Sequence, residues 1–341
     1  MRILYALQGT GNGHLARARD LVPRFAEYAT VDVLIAGTAS DLDLGFPVTY
    51  QKYGLAMVYN SSGAVSYWRS LFRNKIFTFL KDVFQLPVQD YDLVVLDFEA
   101  VASYACKLRG VKALQLSHQA AYWSAHSPRP KQKSLHWEFV LKNMSPSHFK
   151  IGFHFDAFDT FILPPIIRKE IRELTVTRAK KCVVYLPSYS SAELISFFGQ
   201  FQTHPFVIFT PRATPYINDN VEVRAAGVNG FLQELASCTH VICGAGFETP
   251  AEALSLGKAI LAIPIVGQYE QGCNAAALEQ MGIHVLPKLA MNYTEEVAEF
   301  LNHTPAKKVS FPDYAEELVK CIVDNVRSGR EYDDISSLQV W

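Results

Sequence analysis

The sequence lacks an excess of charge of either sign. Its 32 lysine and arginine residues balance 33 aspartate and glutamate residues, and the formal net charge is −1. Such a balance does not supply the positive field that nucleic-acid binding requires, so we expect no nucleic-acid partner. Charged residues make up 19% and hydrophobic residues 49% of the chain, a composition that excludes long disordered segments and favours a folded globular protein.

Cysteines and long apolar runs are also scarce. The six cysteines include no Cys-x-x-Cys pair, the spacing of many zinc and redox sites, and they indicate buried, reduced thiols. The first residues lack the charged and then apolar layout of a signal peptide, and no apolar run reaches the roughly 18 residues of a membrane span. We therefore expect a cytoplasmic protein.

Short apolar runs alternate with helical patterns along the whole chain, which is typical of βαβ units and a parallel sheet. The predicted strands lie at 3–7, 31–35, 93–96, 112–116, 182–186, 206–209, 221–225, 240–243 and 259–263. The predicted helices lie at 15–28, 100–108, 191–198, 231–236, 250–256 and 314–326.

At 341 residues the chain exceeds what one hydrophobic core usually supports. Pro164 and Pro165 interrupt the alternation and indicate a stiff linker. We predict an α/β fold with two Rossmann-like domains, 1–163 and 164–310, that face a cleft. The terminal helix and tail, 311–341, are expected to pack back toward the first domain.

The loop QGTGNGHLARARDL, which begins at Gln8, follows the first predicted strand and opens a helix. Gly9, Gly11 and Gly13 allow a tight turn there. Their spacing is neither that of a P-loop nor G-x-G-x-x-G, so neither phosphate motif is indicated. His14 is then a candidate base at a helix N-terminus, where the helix dipole favours a neutral imidazole. The alternative is a helix-start histidine bonded to a backbone carbonyl.

Asp97 and Glu99 lie where the predicted strand 93–96 leaves the sheet, so we expect their carboxylates at the same cleft as His14. A carboxylate behind a histidine fixes its tautomer and stabilises the imidazolium. Alternatively, Asp97 caps the following helix. Arg17, one helical turn after His14, is either a cleft residue or a solvated helix residue.

A second glycine turn, formed by Gly244, Ala245 and Gly246, follows the predicted strand 240–243. Its exposed amides form an anion site that has no phosphate-gripping lysine. Thr249 and Glu252 fit a capping box, with the intervening proline at the first helical position. That pattern offers a purely structural role for Glu252.

Polar residues also follow the predicted strand 259–263. Glu270, Gln271 and Asn274 lie in a loop at the carboxyl end of that strand, where they can hydrogen-bond a hydroxyl-rich ligand.

These stretches together resemble the donor-site signature of the GT-B nucleotide-sugar glycosyltransferases. The shared features are the glycine turn, a glutamate six residues after Gly246, G-K-A-I, a strand ending in proline, and E-Q-x-x-N-A. The sequence is most similar to the group that contains the bacterial N-acetylglucosaminyltransferase of peptidoglycan lipid-intermediate synthesis and the UDP-glycosyltransferases. The G-T-G-x-G-H turn and VVLDF extend the resemblance to the first half.

The resemblance implies roles on both sides of the cleft. On the donor side it implies that Glu252 holds the ribose, that amides of the second glycine turn meet the diphosphate, and that Glu270 and Gln271 bind the sugar. On the acceptor side it implies that His14 is the base and Asp97 its support. It further implies an inverting hexosyl transfer from a UDP-sugar that needs no metal and no cofactor.

Two positions depart from the family pattern. Gly244 stands where plant and macrolide-type enzymes have a histidine that contacts the diphosphate, so how the phosphates are neutralised stays open; Ser188 and Ser190 are candidates to help. Glu270 replaces the commoner aspartate, so the sugar is not identified.

The same opening turn also resembles the G-x-G-H-x-x-R turn of the UDP-sugar hydrolase of pseudaminic acid synthesis, in which His14 would activate water and Arg17 would be a site residue. A nucleotide-sugar hydrolase or epimerase on this fold is thus an alternative. A sugar-nucleotide-binding subunit without catalysis is another.

Gly11, Gly13, Arg17 and Glu99 are the predicted acceptor-side residues.

Segment 66–84 mixes aromatic and basic residues. Such a stretch can lie on an anionic membrane surface, which suits a lipid-linked acceptor and a peripheral location on the inner face of the membrane. The alternative is a helix of the first domain that packs its aromatic side chains inward.

Overall fold

The structure is a computed structural model that describes residues 1–9, 12–37, 44–55, 76–211, 213, 215–226, 228–302, 308–338 and 340. The predicted acceptor-side Gly11 lies outside these residues, and so does the 66–75 part of the aromatic and basic segment. None of the described helices is long and apolar enough to span a lipid bilayer.

The first half of the chain forms a seven-stranded sheet in the order β3-β2-β1-β4-β5-β6-β7, and every described pair in it is parallel. Its strands are β1 (Arg2–Gln8), β2 (Thr30–Ala36), β3 (Tyr50–Lys52), β4 (Leu93–Asp97), β5 (Ala113–Ser117), β6 (Phe149–Phe153) and β7 (Ile162–Leu163). Its helices are α1 (Asn12–Ala26), α2 (Ile76–Gln85), α3 (Ala100–Arg109) and α4 (Leu135–Asn143), with 3₁₀ turns at Val88–Asp90 and His118–Trp123.

The second half repeats this plan in a sheet of the order β10-β11-β9-β8-β12-β13-β14, in which the described pair β10 and β11 is antiparallel. Its strands are β8 (Ala179–Tyr185), β9 (Phe206–Thr210), β10 (Tyr216–Asn218), β11 (Val221–Ala225), β12 (Cys238–Gly244), β13 (Ala259–Ile263) and β14 (His284–Val285). Its helices are α5 (Lys169–Arg172), α6 (Ser191–Phe198), α7 (Val228–Ser237), α8 (Glu248–Ser255), α9 (Tyr269–Gln280), α10 (Thr294–Leu301) and α11 (Ala315–Ser328), with a 3₁₀ turn at Met291–Tyr293.

The predicted α/β fold with two Rossmann-like sheets is confirmed. The central strands are apolar on both faces and β4 is buried along its whole length, because helices cover both sides of a parallel sheet. Sequence reasoning missed β3, β6, β7, β10 and β14; all of these except β6 have only two or three residues and lie at the sheet edges. The bounds 1–163 and 164–310 stay a prediction.

Strand order places a crevice in each half. The chain moves from β1 to β2 on one side and returns to β4 on the other, and β8 stands in the same way between β9 and β12. Open α/β sheets bind ligands at the carboxyl ends of the strands beside such a switch point. Loops after β1, β4, β8 and β12 are therefore the places to look for a site.

The C-terminal helix α11 returns to the first half and packs on α1, as expected. Arg327 donates to the backbone oxygen of Tyr28 at 3.0 Å. The residues after α11 are also held against the protein. The carboxylate of Asp333 accepts from the backbone N–H of Lys150 at 2.8 Å, and Ile335 is buried.

Lys258, the lysine of G-K-A-I, is a structural residue. Its side chain is buried, and its ammonium donates to the backbone oxygens of Thr177, Ala236 and Cys238 at 3.1, 2.6 and 2.8 Å. Burial lowers the pKa of Lys258, and the three carbonyl oxygens replace the water it has lost. The lysine thereby ties the starts of β8, β12 and β13 together.

Candidate active site

A cavity of about 400 Å³ lies between the two sheets, where their switch points face each other. The described residues that line it are Gln8, Gly13, His14, Arg17, Phe98, His118, Gln119 and Met144 from the first half, and Tyr185, Pro187, Gly246, Phe247, Glu248, Thr249, Gln268, Glu270 and Gln271 from the second. Several belong to the first turns of α1, α8 and α9. Free N–H groups at helix N-termini make the cavity favourable for anions.

His14 and Asp97 meet at the wall of this cavity. Nδ1 of His14 lies 2.8 Å from Oδ1 of Asp97, and the carboxylate is fully buried while the imidazole is 12% exposed. Burial by itself would raise the pKa of Asp97, but the charges of Arg17 and His14 outweigh it and hold that pKa below its usual value. Asp97 is therefore an anion that orients the imidazole.

The turn after β4 explains why the side chains of Asp97 and Glu99 have different partners. Phe98 has φ 56°, in the left-handed region that a non-glycine residue enters only at a cost. Asp97 then contacts His14 and Arg17 behind the cavity wall, whereas Glu99 is buried and caps α3, accepting from the backbone N–H groups of Val101 and Ala102 at 2.6 and 2.7 Å. The helix cap is thus Glu99 and not Asp97, and the structure does not bring Glu99 to the cavity.

Arg17 is a buried member of the site and not a solvated helix residue. Its Nε and Nη2 atoms donate to the two oxygens of Asp97 at 3.0 and 2.9 Å, and its Nη1 donates to Glu248 at 2.7 Å. The side chain is 4% exposed. One guanidinium therefore connects carboxylates from both halves of the chain.

Glu248 is one of the site residues that sequence reasoning missed. Its side chain is 17% exposed, and burial raises the pKa of its carboxyl to about 7, although the charge of Arg17 pulls in the opposite direction. A Cβ atom at Gly13 would lie 3.1 Å from Cγ of Glu248, so a glycine in α1 permits this close approach.

Glu248 was missed because the predicted capping box began the helix too late in the sequence. It made Thr249 the N-cap and Pro250 the first helical residue, but α8 begins at Glu248, and its N-cap Phe247 makes no side-chain hydrogen bond. The predicted partner, Glu252, is buried and accepts from Nε of Arg168 at 2.6 Å. Glu252 therefore has an arginine partner and is not among the described residues that line the cavity.

The predicted sugar-side residues reach the cavity. Glu270 accepts from Gln119 of the first half at 3.1 Å. The side-chain oxygen of Gln271 accepts from the backbone N–H of Ile265 at 2.9 Å, which fixes its amide at the cavity wall. His118 and Gln119 were not predicted, although the rule that ligands bind after parallel strands points to the loop after β5.

Asn274 lies behind the cavity and joins the two halves. It is fully buried, accepts from Tyr122 at 2.6 Å and donates to the backbone oxygen of Ala245 at 3.1 Å. Beside it the ring of His118 stacks on Phe247, with centroids 4.0 Å apart. The halves are thus packed together at the cavity floor.

The other predicted donor-side residues are spread around the second glycine turn. Gly246 lines the cavity, whereas Gly244 and Ala245 do not. Ser190 caps α6 in a capping box with Glu193, and Ser188 is half-buried; neither serine lines the described cavity. Within the described part of the chain, no group of three or more His, Cys, Asp or Glu side chains is arranged to hold a metal ion.

The two facing Rossmann-like halves, with a cavity between their switch points, define a GT-B architecture. The model of the family described as glycosyl transferase family 1 matches residues 1–305, and the chain therefore belongs to this family of glycosyltransferases. No curated protein sequence is significantly similar to it.

Solved structures share the fold at low sequence identity. The spinosyn forosaminyltransferase SpnP is 15% identical, with a TM-score of 0.56 over 99% of this chain and 97% of that one. The glycosyltransferase SsfS6 of Streptomyces sp. SF2575, complexed with thymidine diphosphate, is 12% identical, with a TM-score of 0.56 over 99% and 98%. MurG of Acinetobacter baumannii is 12% identical, with a TM-score of 0.52 over 96% and 99%.

Proposed function

We propose that this glycosyltransferase moves a hexose from a nucleotide-diphospho-sugar to an acceptor hydroxyl with inversion at the anomeric carbon, and that His14 is the base. The observation that carries the proposal is the 2.8 Å contact between His14 and the buried Asp97, at the wall of a cavity between two Rossmann-like halves. UDP is the proposed nucleotide.

The contact between His14 and Asp97 supports a different role for each imidazole nitrogen. Nδ1 of His14 donates to Asp97, so a neutral imidazole keeps its lone pair on Nε2. Nε2 takes the proton of the acceptor hydroxyl while that oxygen attacks the anomeric carbon, and the nucleoside diphosphate leaves with the bonding electrons. Asp97 stabilises the imidazolium that forms.

The second half supplies the donor side in this proposal. The backbone N–H groups at the start of α8, near Gly246 and Thr249, receive the diphosphate, because a helix N-terminus stabilises negative charge. Glu270 and Gln271 hydrogen-bond the sugar hydroxyls. No step requires a metal or a cofactor. Ser188 is retained as a candidate phosphate contact.

Nucleotide binding tests the donor assignment. In a thermal-shift screen of UDP, GDP, dTDP and their common sugars, we expect UDP and a UDP-sugar to raise Tm, since a ligand at about 100 times its Kd adds about 2.7 kcal/mol to the free energy of unfolding. A shift with GDP alone would overturn the choice of UDP. A shift with dTDP alone would do the same.

Incubation of the bound nucleotide-sugar without an acceptor separates the alternatives. A transferase with a closed cavity releases little free sugar, because water is excluded from the reacting centre. Rapid stoichiometric release of sugar would show that His14 activates water, as in a hydrolase. Binding of UDP without any turnover, with or without candidate acceptors, would support the non-catalytic binding subunit.

We further propose that α2 contacts an anionic membrane that carries the acceptor. The helix leaves large apolar side chains uncovered: Ile76, Phe77, Leu80 and Phe84 are 47%, 89%, 43% and 61% exposed. Lys81 of the same helix is exposed as well. An apolar stripe with a basic flank fits the headgroup region of an anionic bilayer.

Vesicle sedimentation tests this contact. We expect the protein to sediment with vesicles of phosphatidylglycerol more than with vesicles of phosphatidylcholine, and the double variant Phe77→Ser, Phe84→Ser to lose most of the difference. The control variant is Ile217→Ser, which changes an 80% exposed residue of the second half. Equal sedimentation of the double variant and the wild type would contradict the contact.

A further inference from the structure

Arg17 is the link between the two halves at the reacting centre. Its side chain is almost wholly buried, and its three nitrogens donate hydrogen bonds to two carboxylates. Asp97 lies 80 residues from Arg17 along the chain, and Glu248 lies 231 residues from it. A planar guanidinium that holds both oxygens of a carboxylate fixes that carboxylate in position and in plane.

Arg17 reaches His14 through Asp97. Oδ1 of Asp97 is shared between Nδ1 of His14 at 2.8 Å and Nη2 of Arg17 at 2.9 Å. The direct separation between Nη2 and Nδ1 is 3.4 Å, and both atoms carry a proton when His14 donates to Asp97. The orientation of the imidazole therefore depends on the carboxylate, and the carboxylate depends on the guanidinium.

The third contact of Arg17 exists only when the second half is in place. Glu248 stands at the first residue of α8, and its carboxylate reaches Arg17 across the cavity at 2.7 Å. The guanidinium of Arg17 then contacts two carboxylates, those of Asp97 and Glu248. Burial raises the pKa of Glu248 to about 7, and the charges of Arg17 and Arg168 oppose that rise. An opened cleft would return Glu248 to water and leave Arg17 with Asp97 alone.

We propose that Arg17 is a positioning residue which, through its ion pair with Glu248, makes the alignment of His14 depend on contact between the two domains. This proposal rests on the proposed role of His14 as base. In this arrangement the base is aligned when α8, the helix that receives the donor, is seated against α1. The nucleophile is then activated only in the closed cavity.

Kinetics of single and double variants test the coupling. For Glu248→Gln we expect a fall in kcat of about tenfold, and for Arg17→Met about a hundredfold, with donor KM within about twofold of wild type, because alignment and not donor binding is lost. Arg17→Lys should recover part of the activity lost in Arg17→Met. In the Arg17→Met background, Glu248→Gln should have little further effect. The matched control is Arg19→Met, which changes a 29% exposed residue of the same helix.

A second measurement does not need turnover. The proton on Nδ1 of His14 should give a downfield NMR signal with slow solvent exchange, identified by its loss in His14→Ala. We expect faster exchange of this proton in Glu248→Gln and loss of the signal in Arg17→Met, with Arg19→Met unchanged.

The outcomes separate this proposal from the proposed function. If no nucleotide-sugar is turned over, the function fails, and the NMR signal still decides the coupling. If Glu248→Gln leaves both kcat and the signal as in wild type, the coupling is wrong. A rise in donor KM at unchanged kcat would also overturn it, because Glu248 would then be a donor ligand.

Discussion

Replacing His14 by alanine is expected to lower kcat by about 10²- to 10⁴-fold, the contribution usual for a positioned general base. The imidazole is 12% exposed, at the cavity wall, and its removal leaves Asp97 paired with Arg17. The carboxylate therefore keeps a buried partner, and we expect the variant to fold. The measurement is release of nucleoside diphosphate from the donor found in the nucleotide screen.

Binding and a second histidine provide the controls. His14→Ala should bind UDP with unchanged affinity, because the proposed diphosphate site belongs to α8. His126→Ala, which changes a 78% exposed histidine of the same half, should keep wild-type turnover. Wild-type kcat in His14→Ala would exclude this residue as the base. Lost UDP binding in the same variant would place His14 on the donor side instead.

Replacing Lys258 by methionine is expected to lower the free energy of unfolding by about 3 kcal/mol, since hydrogen bonds to charged groups contribute about 1.5 to 3 kcal/mol each and part of that gain offsets the burial of the ammonium. Methionine fills a similar volume, but the backbone oxygens of Thr177, Ala236 and Cys238, the last two of them in buried bonds, lose their donor. Urea unfolding measures the change.

A surface lysine is the matched comparison for Lys258→Met. Lys320→Met changes a residue whose side chain is 60% exposed and paired only with Asp324 in the described contacts, and its effect on the urea midpoint should be much smaller than that of Lys258→Met. Equal midpoints for the two variants would show that the lysine of G-K-A-I is not structural. Loss of UDP binding in a fully folded Lys258→Met would give it a role in the site.

Much of the fold and several site residues could be predicted because their signals are local. Apolar runs that suit strands covered on both faces identify the central strands of both sheets. Residues that follow such strands come to one edge of a parallel sheet, and that rule places His14 and Gln271 at the cavity and Asp97 directly behind His14. Edge strands such as β7 have too few residues for a periodic signal.

The structure differs from the sequence analysis mainly in choices between neighbouring side chains. The sequence analysis places both Asp97 and Glu99 at the cleft and gives only Asp97 the alternative of capping α3. After the left-handed turn at Phe98, the cap is instead Glu99. The carboxylate of Glu252 is paired with Arg168, and its contact with the donor ribose stays a prediction. A pattern one or two residues wide does not specify which way a side chain turns.

The sequence by itself determined the two Rossmann-like halves, the glycine turns that open α1 and α8, and the position of His14 at a helix mouth, because backbone periodicity and strand direction act over a few residues. Only the tertiary structure decided that Arg17 joins Asp97 to Glu248. That contact depends on how one sheet is seated against the other, and the energy of a buried ion pair depends on partners that are remote in the chain.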